Sequence, residues 1–223
     1  MNGRFITLEG GEGAGKTTQA RMLADTLCAR GLPVLRTREP GGSPGAELLR
    51  GILLGGGVNW SRLAETLLHF AARADHVQQV IRPALDAGIW VVCDRFYDST
   101  MAYQGYGQGA DRDAIARLIA LVGLRPDLTL VLDVDQTTAV ARLRQRGQAA
   151  DRYEQLDGAF HARVNHAFRA IAAAEPDRCV LLPAGGTAEA IHATVMEAVR
   201  LRVGSSDEGD PAVVDDAATG LPG

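Results

Sequence analysis

The 223-residue chain is 46% hydrophobic and 22% charged, which fits one α/β domain with a substantial core. Five acids in the last twenty residues account for its net charge of −4, and the 22 acidic and 23 basic residues before them argue against a broad basic surface for nucleic acid. The sequence shows no secretory leader, no apolar run of about 18 residues and no C-x-x-C pair among its three cysteines, so we expect a cytoplasmic protein without a membrane partner.

The first predicted strand and helix enclose a phosphate-binding loop. Residues 4–9 are predicted as a strand, a helix follows from about Gly15 to Ala29, and residues 10–17 between them match G-x-x-x-x-G-K-[ST]. In such a loop, backbone N–H groups cradle phosphates, the lysine reaches the β- and γ-phosphates, and the hydroxyl holds Mg²⁺. The predicted ATP-binding residues are Gly10, Gly11, Glu12, Gly13, Ala14, Gly15, Lys16, Thr17 and Thr18.

A second strand is predicted over residues 34–38, and it closes a β-α-β unit. The turn-rich loop 39–45 follows it, at the edge of an open parallel sheet where ligands bind. Ser43 and Pro44 are typical of an N-cap and first helical residue, and they predict a helix that runs to Leu54.

A long helical region is predicted from about Ser61 to Ala87, with a kink near Pro83. Its apolar residues alternate spacings of three and four, which predicts one buried seam. The seam consists of Leu63, Leu67, Phe70, Ala74, Val77 and Ile81. His69, Arg73 and His76 fall on a neighbouring face.

The all-apolar strand predicted over 89–93 brings Asp94 and Arg95 to the same sheet edge. Asp94 is either a buried structural acid or, with Glu9 at the end of the first strand, a metal-binding carboxylate beside Thr17. Arg95 is either a salt-bridge partner or a clamp for phosphate, which a guanidinium binds in a bidentate way.

The remaining pattern alternates helices and strands. Helices are predicted over 111–122, 136–146, 153–174 and 187–203, and strands over 128–133 and 178–182. Five strands alternating with helices predict a doubly wound parallel sheet flanked by helices, of the P-loop NTPase type. Residues 1–203 would form this single domain, and 204–223 have the composition of a disordered acidic tail.

Arginines bracket a break in helical periodicity at Gly147. They are Arg142, Arg144, Arg146 and Arg152. They form either a solvated charged face or a mobile lid, over about 142–153, that brings positive charge onto a transferring phosphoryl group.

These residues together resemble the thymidylate kinase family, which transfers the ATP γ-phosphoryl group to dTMP. The resemblance runs from Phe5 to about Val203 and rests on motifs that occur in order. They are Glu9-Gly10 with the P-loop, Thr37-Arg38-Glu39-Pro40-Gly41-Gly42, Leu49-Arg50, Ala71-Ala72-Arg73, Asp94-Arg95-Phe96, Ser99 with Ala102-Tyr103-Gln104-Gly105, Arg125-Pro126-Asp127-Leu128-Thr129 and Asp151-Arg152-Tyr153-Glu154. Ala14 in the P-loop and the arginine-rich lid resemble the bacterial branch, whose catalytic arginine comes from the lid.

The resemblance implies a role for each matching position. Glu12 would contact the sugar 3′-hydroxyl, and Tyr103 would lie against the 2′ carbon and exclude a ribose hydroxyl. Ser99 would lie in the same substrate site. The dTMP phosphate would be held by Arg38, Arg50 and Arg95, and the thymine edge would be read by Arg73 and Gln104. The implied catalytic residues are Lys16, Arg95, Arg142, Arg146 and Arg152, and the implied metal-site residues are Thr17, Glu9 and Asp94.

The sequence departs from the family at the position that stacks on thymine. The family usually has Phe four residues before the base-reading arginine, whereas this chain has His69 there and Phe70 next. His69 shares a helix face with Arg73, and Phe70 fits the apolar seam. We therefore expect His69 to stack on the base, with Phe70 packed behind it.

Two other functions are compatible with a P-loop. One is a kinase of the same fold for dUMP, a purine monophosphate or a non-nucleotide alcohol, which the set of Arg73, Tyr103 and Gln104 disfavours. The other is an ATPase switch that acts on a protein partner. The resemblance also implies a homodimer, to which the apolar seam of 61–87 would contribute.

Overall fold

The computed structural model describes residues 3–55, 57–147 and 152–204. Within these residues the strands form one parallel sheet. They are β1 (Phe5–Glu9), β2 (Val34–Arg38), β3 (Trp90–Asp94), β4 (Leu128–Asp133) and β5 (Cys179–Pro183). Their spatial order is β2-β3-β1-β4-β5, and every pairing is parallel. The predicted five-stranded parallel sheet is therefore confirmed, with β3 and β5 each shifted by one residue from the predicted range.

Helices cover both faces of the sheet. They are α1 (Lys16–Ala29), α2 (Pro44–Leu54), α3 (Arg62–His76), α4 (Arg82–Asp86), α5 (Tyr97–Thr100), α6 (Arg112–Val122), α7 (Gln136–Arg146), α8 (Gly158–Ala174) and α9 (Ala188–Val203). Two π-helical segments, Val77–Ile81 and Met101–Gly107, follow α3 and α5 directly. Within the described ranges, no helix combines the length and the apolar character that crossing a bilayer requires.

Successive residues of one strand enter different cores because side chains alternate across a sheet. In β1, Phe5 packs with the π-helical segment after α3, whereas Ile6 and Leu8 pack with α1 and α9. A third cluster joins β4 and β5 to α8. The carboxyl edge of an open parallel sheet held in this way is where ligands bind.

Short polar residues cap the starts of several helices, and Ser43 does so as predicted. The Ser43 hydroxyl accepts from the Ala46 amide at 3.3 Å, with Pro44 at the first helical position. Asp111 and Thr187 likewise cap α6 and α9. Short polar side chains at these positions satisfy amides that the first turn of a helix leaves unpaired.

The predicted seam of the 61–87 region is wrong in its first half. Leu63 and Leu67 are 59% and 46% exposed, whereas Glu65, His69 and Arg73 are buried. This face of α3 meets polar partners on other segments, since Glu65 and His69 both hydrogen-bond to Tyr153 and Arg73 does so to Glu39. The leucines lie on the outside. The predicted kink near Pro83 is also misplaced, because the irregularity is the preceding π-helical segment and Pro83 lies in the first turn of α4, where its missing N–H is tolerated.

Two other boundaries differ from the sequence pattern. The helix predicted from about Tyr153 begins at Gly158, since the Asp157 carboxylate caps it by accepting from the Phe160 amide at 2.7 Å. The stretch 96–109, without a clear period in the sequence, contains α5 and a π-helical segment. Most of the predicted lid break and of the predicted tail, at 148–151 and 205–223, lies outside the described residues.

Candidate active site

A cleft of about 460 Å³ opens at the carboxyl edge of the sheet. Its walls are the P-loop, the loop after β2, α3 and the segment that follows β3. The predicted site residues that line it are Glu12, Gly13, Gly15, Lys16, Thr17, Thr18, Arg38, Arg50, His69, Arg73, Asp94, Arg95, Ser99, Tyr103, Gln104 and Arg142. Gly10, Gly11 and Ala14 belong to the loop backbone behind it, and Glu9, Phe70 and Arg152 do not line it.

The P-loop depends on glycine at two positions. Gly10 has φ +133°, and a Cβ there would lie 2.4 Å from the Leu132 carbonyl oxygen. Gly13 has φ +71°, and a Cβ there would lie 2.5 Å from the carbonyl oxygen of Ala139. These residues combine a left-handed backbone with close approach to neighbouring backbone, which only glycine permits.

Lys16 places its ammonium group inside this loop. Its Nζ donates to the Gly11 carbonyl at 2.6 Å. Burial and the charge of Arg95 lower the pKa of Lys16 to about 8, and the acids Glu12 and Asp94 oppose that shift. Anionic phosphate beside this group would favour its charged form.

Thr17 and Asp94 lie together, as the sequence predicts. The Thr17 hydroxyl donates to Asp94 Oδ2 at 2.5 Å, because β3 is the neighbour of β1 and Leu8 pairs with Asp94. A hydroxyl and a carboxylate beside a phosphate loop are the hard oxygen ligands that Mg²⁺ prefers, completed by substrate phosphate and water.

Glu9, at the end of β1, hydrogen-bonds to residues other than Thr17 and Asp94. It is fully buried, and its carboxylate accepts from Ser99 Oγ at 2.6 Å and from the Phe96 amide at 2.7 Å. Burial and the neighbouring Asp98 raise the pKa of Glu9 to about 7. Within the described ranges, no group of three His, Cys, Asp or Glu residues could hold a metal ion. The contacts of Glu9 anchor the segment after β3 to the end of β1.

Arg95 connects the P-loop to the segment after β3. Its Nη2 lies 2.6 Å from Glu12 Oε1, and its Nη1 donates to the Gly10 carbonyl at 3.2 Å and to Ser99 Oγ at 3.1 Å. The residue has φ 72°, a left-handed conformation that a non-glycine residue keeps only when its surroundings impose it. Such strain concentrates at functional sites.

Tyr103 completes the set around Glu12. Its hydroxyl donates to Glu12 Oε1 at 2.7 Å, and the Arg95 guanidinium lies 4.9 Å from its ring centroid. Burial opposes ionisation of Glu12, but the charges of Arg95 and Lys16 outweigh it and lower the pKa to about 2. Glu12 is therefore a carboxylate at neutral pH.

Two further arginines border the cleft from the loop after β2 and from α2. Arg38 Nη2 lies 3.2 Å from Glu47 Oε1, and Arg50 Nη1 donates to the Pro40 carbonyl at 2.6 Å. Arg38, Arg50 and Arg95 all line the cleft.

Arg73 is buried on α3 and lines the same cleft. Its Nε donates to Glu39 Oε2 at 2.7 Å and its Nη2 to Thr100 Oγ1 at 3.0 Å, whereas Nη1 has no partner among the described residues. The guanidinium lies 4.8 Å from the ring centroid of Phe70, so Phe70 packs behind Arg73. Sequence reasoning missed Glu39, although it lies in the loop expected at the ligand edge.

A second buried acid, Glu65, was also missed. It accepts hydrogen bonds from Gln104, Gln108 and Tyr153 and forms an ion pair of 2.7 Å with Arg152. Its spacing offered a signal, because Glu65 precedes His69 by four residues and so shares the face of α3 that carries His69 and Arg73.

The predicted lid arginines have different surroundings. Arg142 donates to the Gly186 carbonyl at 2.8 Å and lies 3.5 Å from the Gly13 carbonyl, beside the P-loop. Arg152 forms an ion pair with Glu65. The side chain of Arg146 lies outside what the structure describes, as do residues 148–151. Among the described lid arginines, only Arg142 therefore approaches the phosphate loop.

Comparison with known proteins decides the family. The family model described as thymidylate kinase matches residues 8–195. The chain is 54% identical over 201 residues to a thymidylate kinase of Gluconobacter oxydans, a match that covers 88% of this chain and 94% of that protein. The chain belongs to the thymidylate kinase family. It is also 53% identical to a thymidylate kinase of Rhizorhabdus wittichii, over 89% of this chain and 98% of that protein.

The fold agrees with this membership. The crystal structure of thymidylate kinase from Ehrlichia chaffeensis aligns with a TM-score of 0.75 and 34% identity, over 89% of this chain and all of that chain. Membership in the thymidylate kinase family makes this chain an enzyme that phosphorylates dTMP with ATP. A kinase for another acceptor and an ATPase switch are correspondingly not favoured.

Proposed function

We propose that dTMP binds in this cleft with its phosphate at Arg38, Arg50 and Arg95 and its base at Arg73. The P-loop amides and Lys16 would hold the phosphates of ATP. Thr17 and Asp94 would hold Mg²⁺, since their oxygens lie together beside this loop. Glu9, at the end of the neighbouring strand β1, would belong to the same metal site. When bound, the ion neutralises charge on the transferring phosphoryl group.

The acceptor phosphate would bind between the guanidinium groups of Arg38, Arg50 and Arg95. Bidentate recognition by arginine suits a phosphate that must keep a fixed angle to the donor. Glu12, ionised and held by Arg95 and Tyr103, would accept a hydrogen bond from the sugar 3′-hydroxyl. The Tyr103 ring would then lie against the 2′ carbon. Ser99 would help to orient Arg95 by accepting a hydrogen bond from its guanidinium.

Arg73, Gln104 and His69 would bind the base. The unpartnered Nη1 of Arg73 is a buried donor that a ligand acceptor must satisfy, because an unpaired buried donor is costly. Thymine O4 is such an acceptor. His69 lines the cleft and Phe70 does not, which supports stacking of the imidazole on thymine.

Catalysis would proceed by positioning and electrostatic stabilisation, without a phosphoenzyme. Lys16 and Arg95 hold donor and acceptor phosphates, and lid arginines supply further positive charge where it develops. Arg142 is already beside the P-loop, and Arg146 and Arg152 would join it when the lid closes. Closure also excludes water, which would otherwise accept the phosphoryl group.

The unpartnered Nη1 of Arg73, in the same cleft as a complete P-loop, is the single observation that carries this assignment. The test supplies purified enzyme with MgATP and dTMP, dUMP, dCMP, dGMP or UMP and follows ADP formation against a tube without acceptor. We expect strong turnover with dTMP, weak turnover with dUMP and little with UMP. Equal hydrolysis in every tube would refute the assignment of the acceptor site.

We also propose that the enzyme is a cytoplasmic homodimer. Its three cysteines are all free thiols, which fits a reducing compartment. Exposed apolar side chains occupy two helices that pack together, Leu48 and Ile52 on α2 and Leu63 and Leu67 on α3. Apolar surface of this kind marks a protein interface.

A further inference from the structure

Glu65 is the centre of a buried hydrogen-bond network behind the base end of the cleft. Its Oε1 accepts from Gln104 Nε2 at 3.0 Å, Gln108 Nε2 at 2.8 Å and the Tyr153 hydroxyl at 2.9 Å. Its Oε2 faces Arg152 Nη2 at 2.7 Å. Burial opposes ionisation, but these donors outweigh it and lower the pKa of Glu65. An ionised carboxylate has no hydrogen to donate, so every partner must present one to it.

This requirement fixes the direction of the bonds around Tyr153. The hydroxyl has one hydrogen, which it donates to Glu65, and it can then only accept from other groups. Gln104 Nε2 lies 3.1 Å and His69 Nε2 lies 2.9 Å from the same oxygen. Both nitrogens therefore donate to Tyr153. His69 is the Nε2–H tautomer, and burial and the charge of Arg73 lower its pKa to about 3, so the ring is neutral.

The same reasoning fixes the amide of Gln104. Its two N–H hydrogens point to Glu65 and Tyr153. Among the described residues, its Oε1 is thus the amide atom left for a ligand, and Gln104 lines the cleft. Amide orientation is decided by the hydrogen-bond network around it, and here the network begins at Glu65.

We propose that Glu65 is a positioning residue that selects thymine over cytosine by holding the carbonyl oxygen of Gln104 toward the base. The inference rests on the proposed role of Gln104 and deepens it. Thymine presents N3–H as a donor and O4 as an acceptor, which match Gln104 Oε1 and the unpartnered Arg73 Nη1. Cytosine presents an acceptor at N3 and a donor at N4, so both contacts fail.

Glu65→Gln tests the proposal because Arg152 orients the new amide. The guanidinium of Arg152 selects its oxygen, and the NH₂ then faces Gln104 and Tyr153. That arrangement favours the reversed amide of Gln104, with its own NH₂ toward the base. We expect the ratio of kcat/KM for dTMP to that for dCMP to fall by about tenfold or more, since a site built around a specific hydrogen bond discriminates strongly against its loss.

The measurement combines this variant with Gln104→Ala and with the double variant. If Glu65 acts through Gln104, each single change lowers the dTMP to dCMP ratio and the double variant is no worse than Gln104→Ala alone. A merely structural role for Glu65 would lower activity toward both nucleotides and leave the ratio in place. Glu197→Gln, which removes an exposed acid from α9, is the control and should leave the ratio unchanged.

The outcomes separate this inference from the assignment of the base site. An unchanged ratio in Gln104→Ala would refute the role of Gln104 and the inference with it. If the dTMP to dCMP ratio falls in Gln104→Ala but stays within twofold of wild type in Glu65→Gln, only the inference about Glu65 is overturned. If Glu65→Gln does not fold, Glu65→Asp replaces it in the test, because the shorter side chain keeps the negative charge but moves it away from Gln104. Its ratio should also fall, and an unchanged ratio in that folded variant would overturn the proposal.

Discussion

Glu39 and Arg73 form an ion pair of 2.7 Å in which both side chains are only 3% exposed. The other oxygen of Glu39 lies 3.1 Å from His76 Nδ1, and His76 Nε2 lies 2.8 Å from Thr37 Oγ1. One carboxylate in the loop after β2 thus holds two side chains of α3. This connection fixes the α3 side of the cleft relative to the loop that follows Arg38.

We predict that Glu39→Gln destabilises the enzyme and weakens dTMP binding. Removing one partner of a buried ion pair leaves an uncompensated charge, which costs about 3–5 kcal/mol. Arg73 also loses the bond that orients it, so the KM for dTMP should rise by about tenfold or more. Urea unfolding and steady-state kinetics measure the two effects.

The control for Glu39→Gln is the exposed pair of Glu197 and Arg200, which are 2.7 Å apart and both 55% exposed. Glu197→Gln should leave the free energy of unfolding essentially unchanged, because solvent screens such pairs. Equal stability losses in the two variants would contradict the importance of the buried pair.

We predict that His69→Phe preserves dTMP binding and makes the free energy of unfolding less sensitive to acid. Phenylalanine retains an aromatic face for stacking, so KM for dTMP should change by less than about threefold. The pKa of His69 is about 3 in the folded enzyme and about 6.5 when unfolded. Between these two pH values, His69 carries a proton in the unfolded chain but not in the folded enzyme. The free energy of unfolding of wild type therefore falls as pH drops below about 6.5.

The measurement is the free energy of unfolding of wild type and His69→Phe at pH 8 and pH 5. Wild type should lose about 2 kcal/mol more than the variant over this interval. Because the test is a difference between two proteins, the opposite contribution from Glu9, whose pKa is raised to about 7, cancels. Parallel losses would show that His69 is not buried in its neutral form.

The sequence predicts the sheet and the phosphate loop well because both follow from local patterns. Buried parallel strands are apolar runs, and the P-loop has a fixed spacing of glycines, Lys16 and Thr17. The meeting of Thr17 and Asp94 follows from the placement of β3 beside β1, since carboxyl ends of parallel strands share one edge.

The polar interior of α3 could not be predicted in the same way. Periodicity assigns the buried face to apolar residues, but Leu63 and Leu67 lie outside and Glu65 lies inside. What reverses the pattern is a set of partners far along the chain, such as Gln104 and Tyr153 for Glu65. Long-range hydrogen bonds have no period, so only the folded structure reveals them.

We predict that the ring of Tyr103, and not its hydroxyl, excludes ribonucleotides. Tyr103 lines the cleft, and its hydroxyl donates to Glu12 at 2.7 Å. Tyr103→Phe should lower kcat/KM for dTMP, because Glu12 loses one donor, but should keep the preference for dTMP over its ribose counterpart. Tyr103→Ala should reduce that preference by about tenfold or more. A preference lost equally in both variants would assign the exclusion to the hydroxyl.

We predict that the exposed leucines of α3 form the dimer interface with the exposed face of α2. Sedimentation of wild type should give twice the chain mass of 23.6 kDa, because burying Leu48, Ile52, Leu63 and Leu67 removes a contiguous apolar surface from water. The double change Leu63→Glu and Leu67→Glu should yield a folded monomer, since interfacial charge without a partner is strongly unfavourable. Leu201→Glu is the matched control, as Leu201 is 65% exposed on α9, away from α2 and α3, and it should remain dimeric. A dimer that survives the α3 changes but dissociates in Leu201→Glu would place the interface on the opposite side of the sheet.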